Sequence, residues 1–106
     1  MRFLDRSSAA RLLSGAVLAC TLSGCGNGLY ALKINSAAGR FEEARTMGAE
    51  EAAPYEYYSA EVRLEEARRQ AARAEYGTAA DLAYEAERYA AKAIDKTRVV
   101  KAGGTP

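Results

Sequence analysis

Cys25 is the residue whose neighbours in the sequence indicate most clearly what chemistry this chain could undergo. The chain has 106 residues, with two Cys and no His or Trp. Leu22, Ser23 and Gly24 stand directly before Cys25, so its thiol follows two small residues at the end of an apolar segment. Because histidine is absent, the sequence offers neither a histidine base nor a histidine-containing metal site. Modification of the Cys25 thiol is therefore the chemistry that this sequence favours.

The segment before Cys25 has the pattern of a secretory signal, with a basic start and an apolar middle from Leu12 to Leu22. Its basic residues are Arg2, Arg6 and Arg11. An uncleaved membrane anchor is one alternative, but Leu12–Gly24 is short against the roughly 20 apolar residues that a membrane span needs. Ordinary secretion with cleavage elsewhere, for instance after Ala19, is a second alternative.

The stretch Leu22-Ser23-Gly24-Cys25 resembles a bacterial lipobox and matches every position of its leucine-small-small-cysteine pattern. The resemblance implies a diacylglycerol on the Cys25 thiol, cleavage before Cys25 and an N-acyl chain on the new terminus. Gly26 stands where an Asp would imply retention at the inner membrane of a Gram-negative envelope. The resemblance therefore favours the periplasmic face of the outer membrane, in a source with two membranes.

Composition indicates one small domain after the signal segment of residues 1–24. We expect a lipidated cysteine and short tether over 25–28, an alanine-rich helical domain over 29–101 and a disordered tail over 102–106. Acylation would consume the one cysteine left, so no disulfide could form. The signal segment carries three Arg and one Asp, so its removal changes the net charge from +1 to −1. Acids and bases are interspersed, which is typical of a solvated surface rather than a nucleic-acid interface.

The periodicity predicts an all-α fold: three helices in an antiparallel arrangement, with a tight helical hairpin at its centre. The predicted helices span 29–52, 54–76 and 78–100. Pro54 marks the first break. Gly77, in a left-handed conformation, and Thr78, as a helix cap, are expected to form the second break. The predicted apolar seams are mostly alanine: Ile34, Ala37, Phe41, Ala44 and Gly48; Ala60, Leu64, Ala67, Ala71 and Ala74; and Ala79, Leu82, Ala86, Tyr89 and Ala93.

Two stretches of the hairpin, Leu64–Ala67 and Glu75–Ala86, together with Ala53-Pro54 before them, carry a family resemblance. They resemble a short alanine-rich helical domain of uncharacterised function that occurs in Gram-negative envelope lipoproteins. That group has no agreed catalytic residues, so the resemblance implies none here. The hairpin is also similar to one tetratricopeptide unit, but about three such repeats are needed for a stable array and no second copy is present.

Three tyrosines are candidates for a partner-binding face. On a helical wheel Tyr58 and Tyr76 lie opposite Ala67, and Tyr84 lies opposite Ala86. One interpretation is that the stripe with Tyr58 and Tyr76 covers the first helix. The other is that some of these rings bind a partner, with Tyr84 the best candidate, since tyrosine is enriched at interfaces.

The sequence favours a non-catalytic function. Adjacent carboxylates such as Glu65 and Glu66 point about 100° apart on a helix, and paired acids need an apolar cleft to separate their pKa values. We expect an interaction module that is held at the membrane by acyl chains on Cys25, needs no other cofactor and binds an envelope protein. The alternative is a structural spacer or an oligomeric coiled coil, although Pro54 and Gly77 interrupt any long heptad run.

Overall fold

A computed structural model describes residues 25–104, and within these residues the chain is helical apart from its turns. The helices are α1 (Cys25–Thr46), α2 (Ala49–Ala52), α3 (Pro54–Ala72) and α4 (Tyr76–Lys101). The described residues contain no strand. For residues 25–104 the prediction of an all-α fold is confirmed, with four helices in this range where three were predicted.

The first predicted helix is displaced and divided. Its backbone begins at Cys25, four residues before the predicted start, because extending an existing helix needs no new nucleus and gains one hydrogen bond per residue. Gly48 was predicted to lie in the apolar seam, but it adopts a left-handed conformation with φ 85°. Glycine takes this conformation without a Cβ penalty, so the helix ends there and the one-turn α2 follows.

The break at Pro54 lies where the sequence predicts it. Ala53 has φ −141° and ψ 60°, outside the helical region, and Pro54 occupies the first turn of α3. The ring of a proline disfavours a helical conformation in the residue before it, and the missing N–H costs nothing at a helix start. This break is therefore local in origin.

The turn between α3 and α4 differs from the prediction. It lies at residues 73–75, with Ala74 at φ 60°, and α4 already begins at Tyr76, so Gly77 lies inside its first turn and Thr78 caps nothing. The amide of Glu75 donates to the carbonyl of Gln70 at 2.9 Å, and that of Ala74 to Ala71 at 2.9 Å. These two bonds form a Schellman motif, which satisfies the last carbonyls of α3 with an alanine in place of the usual glycine.

This turn yields a test with two matched substitutions. Ala74→Gly should stabilise the fold by about 0.5–1 kcal/mol, because it relieves a left-handed alanine. Gly77→Ala should stabilise it by a similar amount, because Gly77 is helical and a Cβ there meets nothing within 4 Å. Urea unfolding would measure both. A Gly77→Ala variant less stable than the parent would contradict the turn at Ala74 and restore the predicted one at Gly77.

Helix α4 is the centre of the packing, since it contacts both α1 and α3 along their lengths. Lys96 Nζ lies 3.3 Å from Glu56 Oε1, and Arg63 Nε lies 3.3 Å from Glu85 Oε2, so α3 and α4 run in opposite directions. The Ser36 hydroxyl donates to Glu87 Oε1 at 2.7 Å. Glu85 and Lys96 thus face α3, whereas Glu87 faces α1, so α1 and α3 pack on different sides of α4.

The core is built mainly from alanine, with four larger apolar side chains. The large buried residues are Phe41, Tyr57, Leu64 and Ile94. The buried alanines are Ala37, Ala44, Ala49, Ala53, Ala60, Ala67, Ala79, Ala80, Ala83, Ala86, Ala90 and Ala93. Small side chains allow helix axes to approach toward the 8 Å end of the usual range. The bundle is thin for this reason, and its few large side chains carry much of the apolar burial.

The predicted seams are partly corrected. On α4 the buried positions recur at alternating steps of three and four residues, whereas Leu82 and Tyr89, predicted for the seam, are half-buried at its edge. On α3, Ala71 is half-buried and Ala74 is exposed, because the helix has ended before it. After α4, Gly103 has φ 84° and Gly104 donates to the carbonyl of Val99 at 2.9 Å. The extent of the predicted tail stays a prediction.

Candidate functional site

The candidate lipidation site lies at the start of the described chain. Cys25 is the first residue of α1, and the predicted recognition residues Leu22, Ser23 and Gly24 lie outside the described residues. Positions 26–28, predicted as a tether, have helical backbone. Any group attached at position 25 would therefore begin directly at the end of a folded helix. None of the helices in residues 25–104 is both long enough and apolar enough to cross a bilayer.

The three tyrosines proposed for a partner face occupy separate places. Tyr84, half exposed on α4, has the Lys33 ammonium 5.1 Å from its ring centre. Tyr76 lies at the start of α4, with its ring 6.0 Å from that of Tyr30 on α1. Tyr58, near the start of α3, donates a hydrogen bond to Glu50 Oε1 of α2 at 2.8 Å. They do not form one continuous patch, so a partner that uses one ring need not reach the others.

The interpretation that the stripe with Tyr58 and Tyr76 covers the first helix is wrong for the part of the stripe that lies on α3. Tyr58 and Val62 remain 48% and 58% exposed, because α1 packs chiefly along α4 rather than α3. Tyr76 does contact α1, through Tyr30, but it does so from α4. The outer face of α3 is thus left open in the described part of the chain.

This open face carries an apolar stripe, which we call the α3 stripe: Tyr55, Tyr58 and Val62. Tyr55 is 68% exposed, and the three residues follow one another at steps of three and four, so they share one side of the helix. With Pro54, Ser59 and Arg63 they line a shallow groove of about 380 Å³. Sequence reasoning missed Tyr55, although its spacing from Tyr58 and Val62 could have found it.

The Tyr58 hydroxyl is tied to the neighbouring helix. Its hydrogen bond to Glu50 is the main cause that raises the pKa of Tyr58 above its ordinary value, and the nearby carboxylate charge adds to the effect. A carboxylate that accepts from a phenol favours the protonated phenol. The bond holds the exposed ring in one orientation, and a ring held in place loses less entropy on binding.

A pH titration tests this contact. Glu50→Gln should lower the pKa of Tyr58 toward its ordinary value, while the matched Glu51→Gln on the same helix should leave it nearly unchanged. NMR of ring-labelled tyrosine would report both. Because the pKa is raised in the folded chain, the bond supports the fold at neutral pH, and this support is lost as the pH rises through the pKa of Tyr58. Equal effects of the two substitutions would contradict the contact.

A second concave region lies between α3 and α4. Arg63 stacks over the ring of Tyr89, with its guanidinium carbon 4.2 Å from the ring centre, and pairs with Glu85. Arg88 and Lys92 complete the lining of a cavity of about 180 Å³. Tyr89 was predicted as a seam residue, but it lies at the edge of the core, where Arg63 and Lys92 contact its ring. Four of the five side chains that line this cavity are charged.

Several carboxylates of the described chain are engaged in surface contacts. Glu66 accepts hydrogen bonds from Gln70 at 2.9 Å and Arg69 at 2.8 Å, and these bonds lower the pKa of Glu66. A general acid at neutral pH needs the opposite shift. Residues 25–104 also contain no cluster of three or more acidic, cysteine or histidine side chains that could hold a metal ion.

Comparison with known protein families gives one match. The sequence model of one family, described as a domain of unknown function (DUF4398), matches residues 33–103. This range runs from the third turn of α1 to the capping turn after α4. No significant match was found among curated proteins or among solved structures. The resemblance to an uncharacterised small helical family is confirmed by this match, which covers more than half of the chain. The chain therefore belongs to the family of the domain of unknown function DUF4398.

Proposed function

We propose that this protein is a non-catalytic, lipid-anchored component of the bacterial cell envelope, whose helical domain binds a partner protein. The observation that carries the proposal is the sequence Leu22-Ser23-Gly24-Cys25, whose cysteine is the first residue of α1. Cleavage before Cys25 would remove the apolar segment and leave an acylated residue at the start of the folded domain. One acyl chain attaches a protein to a membrane only marginally, whereas two or more acyl chains attach it firmly.

The proposed location is the periplasmic face of the outer membrane. Support comes from Gly26, which stands where an aspartate would imply retention at the inner membrane. Anchoring confines the domain to a thin layer and raises its effective concentration for partners in the same layer. A small interaction surface can then be sufficient for stable association.

The α3 stripe is the surface that we propose for the partner. Tyr55 and Tyr58 are exposed aromatic residues, and such residues supply much of the binding energy at protein interfaces. Tyr58 is held by Glu50 at 2.8 Å, and Val62 extends the apolar surface by one turn. We further propose that α1, α3 and α4 act as one antiparallel three-helix unit that presents this stripe on a firm support.

The anchor is tested by mass spectrometry of the chain produced in a bacterium with two membranes. The expected product begins at Cys25 and carries the mass of a diacylglycerol and one N-acyl chain. A product that retains Met1, or that begins elsewhere without acyl mass, would contradict the anchor.

The partner surface is tested by photo-crosslinking from two matched positions. A benzoylphenylalanine at position 58 and one at position 84 replace tyrosines that are 48% and 50% exposed. We expect a discrete adduct with one envelope protein from position 58 and little from position 84. The reverse pattern would favour Tyr84, the residue preferred from the sequence alone, and would contradict the α3 stripe.

The second candidate function is a structural spacer built from several copies of this chain. The same open α3 stripe favours it, because an exposed apolar surface on one copy can cover that of another. In the crosslinking experiment this function predicts adducts between identical chains. Sedimentation of the chain would then show an oligomer, whereas the interaction module predicts a monomer.

A further inference from the structure

A pair of exposed leucines lies close to the proposed anchor. Leu29 and Leu32 are 53% and 72% exposed, on the first turns of α1. They are separated by three residues and so share one side of the helix. Within the described part of the chain both stay exposed, and the residues that α1 buries, Ala37, Phe41 and Ala44, lie on a different side of the helix.

The register of α1 places this pair on the same side as position 25. Positions 25, 29 and 32 fall within an arc of about 60° on an ideal helix, and position 32 lies about 10 Å along the axis from position 25. Further along α1 the same side is polar: Ser36 donates a hydrogen bond to Glu87 of α4 at 2.7 Å, and Arg40 is exposed. The outward apolar surface is therefore confined to the end of the helix that carries the cysteine.

We infer that this face of α1, formed by Leu29 and Leu32, rests in the surface of the lipid bilayer to which Cys25 is anchored. The inference depends on the proposed lipid anchor and adds an orientation to it. Acyl chains at position 25 would hold the first turns of α1 within reach of the bilayer, where exposed leucines leave water. The helix would then lie inclined, with its first turns in the interface and its polar side chains beyond Ser36 in water.

The contact is apolar rather than electrostatic. The cations near this end of the described bundle are Lys33, Arg68, Arg69 and Arg73, and the acids Glu65, Glu66, Glu75 and Asp81 offset them. Arg69 pairs with Glu66 at 2.7 Å. Tyr30 and Tyr76, whose rings are 6.0 Å apart, lie at the same end, and tyrosine is common at the boundary between lipid and water. We therefore expect the same contact with zwitterionic and with anionic lipids.

The chain has no tryptophan, so single-tryptophan variants can report the contact. Leu32→Trp places the reporter in the proposed face, and Tyr55→Trp places it at the far end of α3, on a residue with a similar exposure of 68%. Each full chain is processed in a bacterium with two membranes, checked for acyl mass and for helical content, and reconstituted into phosphatidylcholine vesicles with or without phosphatidylglycerol. Lipids brominated near the headgroup end of their chains then quench any tryptophan that lies in the interface.

We expect quenching of Leu32→Trp to exceed that of Tyr55→Trp by about twofold or more in both vesicle types, since an interfacial helix places its apolar face roughly 5–10 Å deep. Equal, weak quenching in the acylated protein would overturn the inference and leave the anchor intact. A blue-shifted emission of Leu32→Trp without bromine quenching would show that protein covers the leucines, and would also overturn it. Quenching that requires anionic lipid would overturn the apolar contact. A protein without acyl mass would overturn both the inference and the proposed anchor.

Discussion

Replacing Phe41 by alanine is expected to lower the free energy of unfolding by about 3–5 kcal/mol, which is the usual cost of removing a buried aromatic ring. Phe41 is 6% exposed, and its ring stacks on that of Tyr57 at 4.9 Å. Most of the other residues of the buried core are alanines, whose side chains are too short to fill the space that the ring would leave. A domain of this size has a total stability of only about 4–12 kcal/mol, so the variant should be partly or fully unfolded at 37 °C.

Urea unfolding of a soluble chain of residues 26–106, followed by circular dichroism, measures this effect. Leu32→Ala is the control, because Leu32 is a large apolar residue of the same helix but is 72% exposed. The control should change the stability by less than about 0.5 kcal/mol. Similar losses for the two variants would mean that α1 does not pack with Phe41 inward, and the arrangement of α1 on α4 would have to be reconsidered.

Replacing Cys25 by alanine is expected to abolish acylation completely and to leave no product that begins at residue 25. The proposed modification starts on the Cys25 thiol, and alanine offers no atom to which the lipid could be attached. Among residues 25–104 there is no helix that could span a bilayer. Metabolic labelling with a fatty-acid probe and mass spectrometry would measure the loss.

Cys20→Ala is the matched control for this experiment. Cys20 also follows an apolar residue and a small one, Leu18 and Ala19, but it lies within the apolar middle of the predicted signal segment. We expect Cys20→Ala to be labelled as fully as the parent chain. Label that persists in Cys25→Ala and disappears in Cys20→Ala would show that Cys20 is the acylated residue. The proposed contact of α1 with the bilayer would then fail as well.

The features that could be predicted from the sequence are those with local causes. Pro54 breaks the helix because its ring acts on the residue before it, and the abundance of alanine, glutamate and arginine favours helix throughout. The turn before α4 was less predictable. Gly77 is the better residue for a left-handed position, yet Ala74 takes it, three residues earlier, and the Schellman bonds of Glu75 and Ala74 to the end of α3 accompany that choice.

The candidate site was only partly predictable. Tyr58 was identified from the helical wheel, but Tyr55 was missed and Tyr58 was assigned in one interpretation to a covered face. A wheel shows which residues share a side of a helix, and it cannot show which side a neighbouring helix will cover. In a chain where alanine occurs on every side, the apolar pattern defines no single buried face, so the error is expected from the composition.

The sequence by itself determined that the chain is helical, where Pro54 interrupts it and which cysteine follows the signal-like segment, because each of these depends on residues within a few positions of one another. Only the tertiary structure decided that α1 packs chiefly along α4, which leaves Tyr55, Tyr58 and Val62 exposed on α3 and Leu29 and Leu32 exposed beside Cys25. The physical reason is that the exposure of a side chain depends on which other helices pack against it. An alanine-rich helix can be buried on several of its sides, and the few large side chains, Phe41 and Tyr57 among them, select the one that is used.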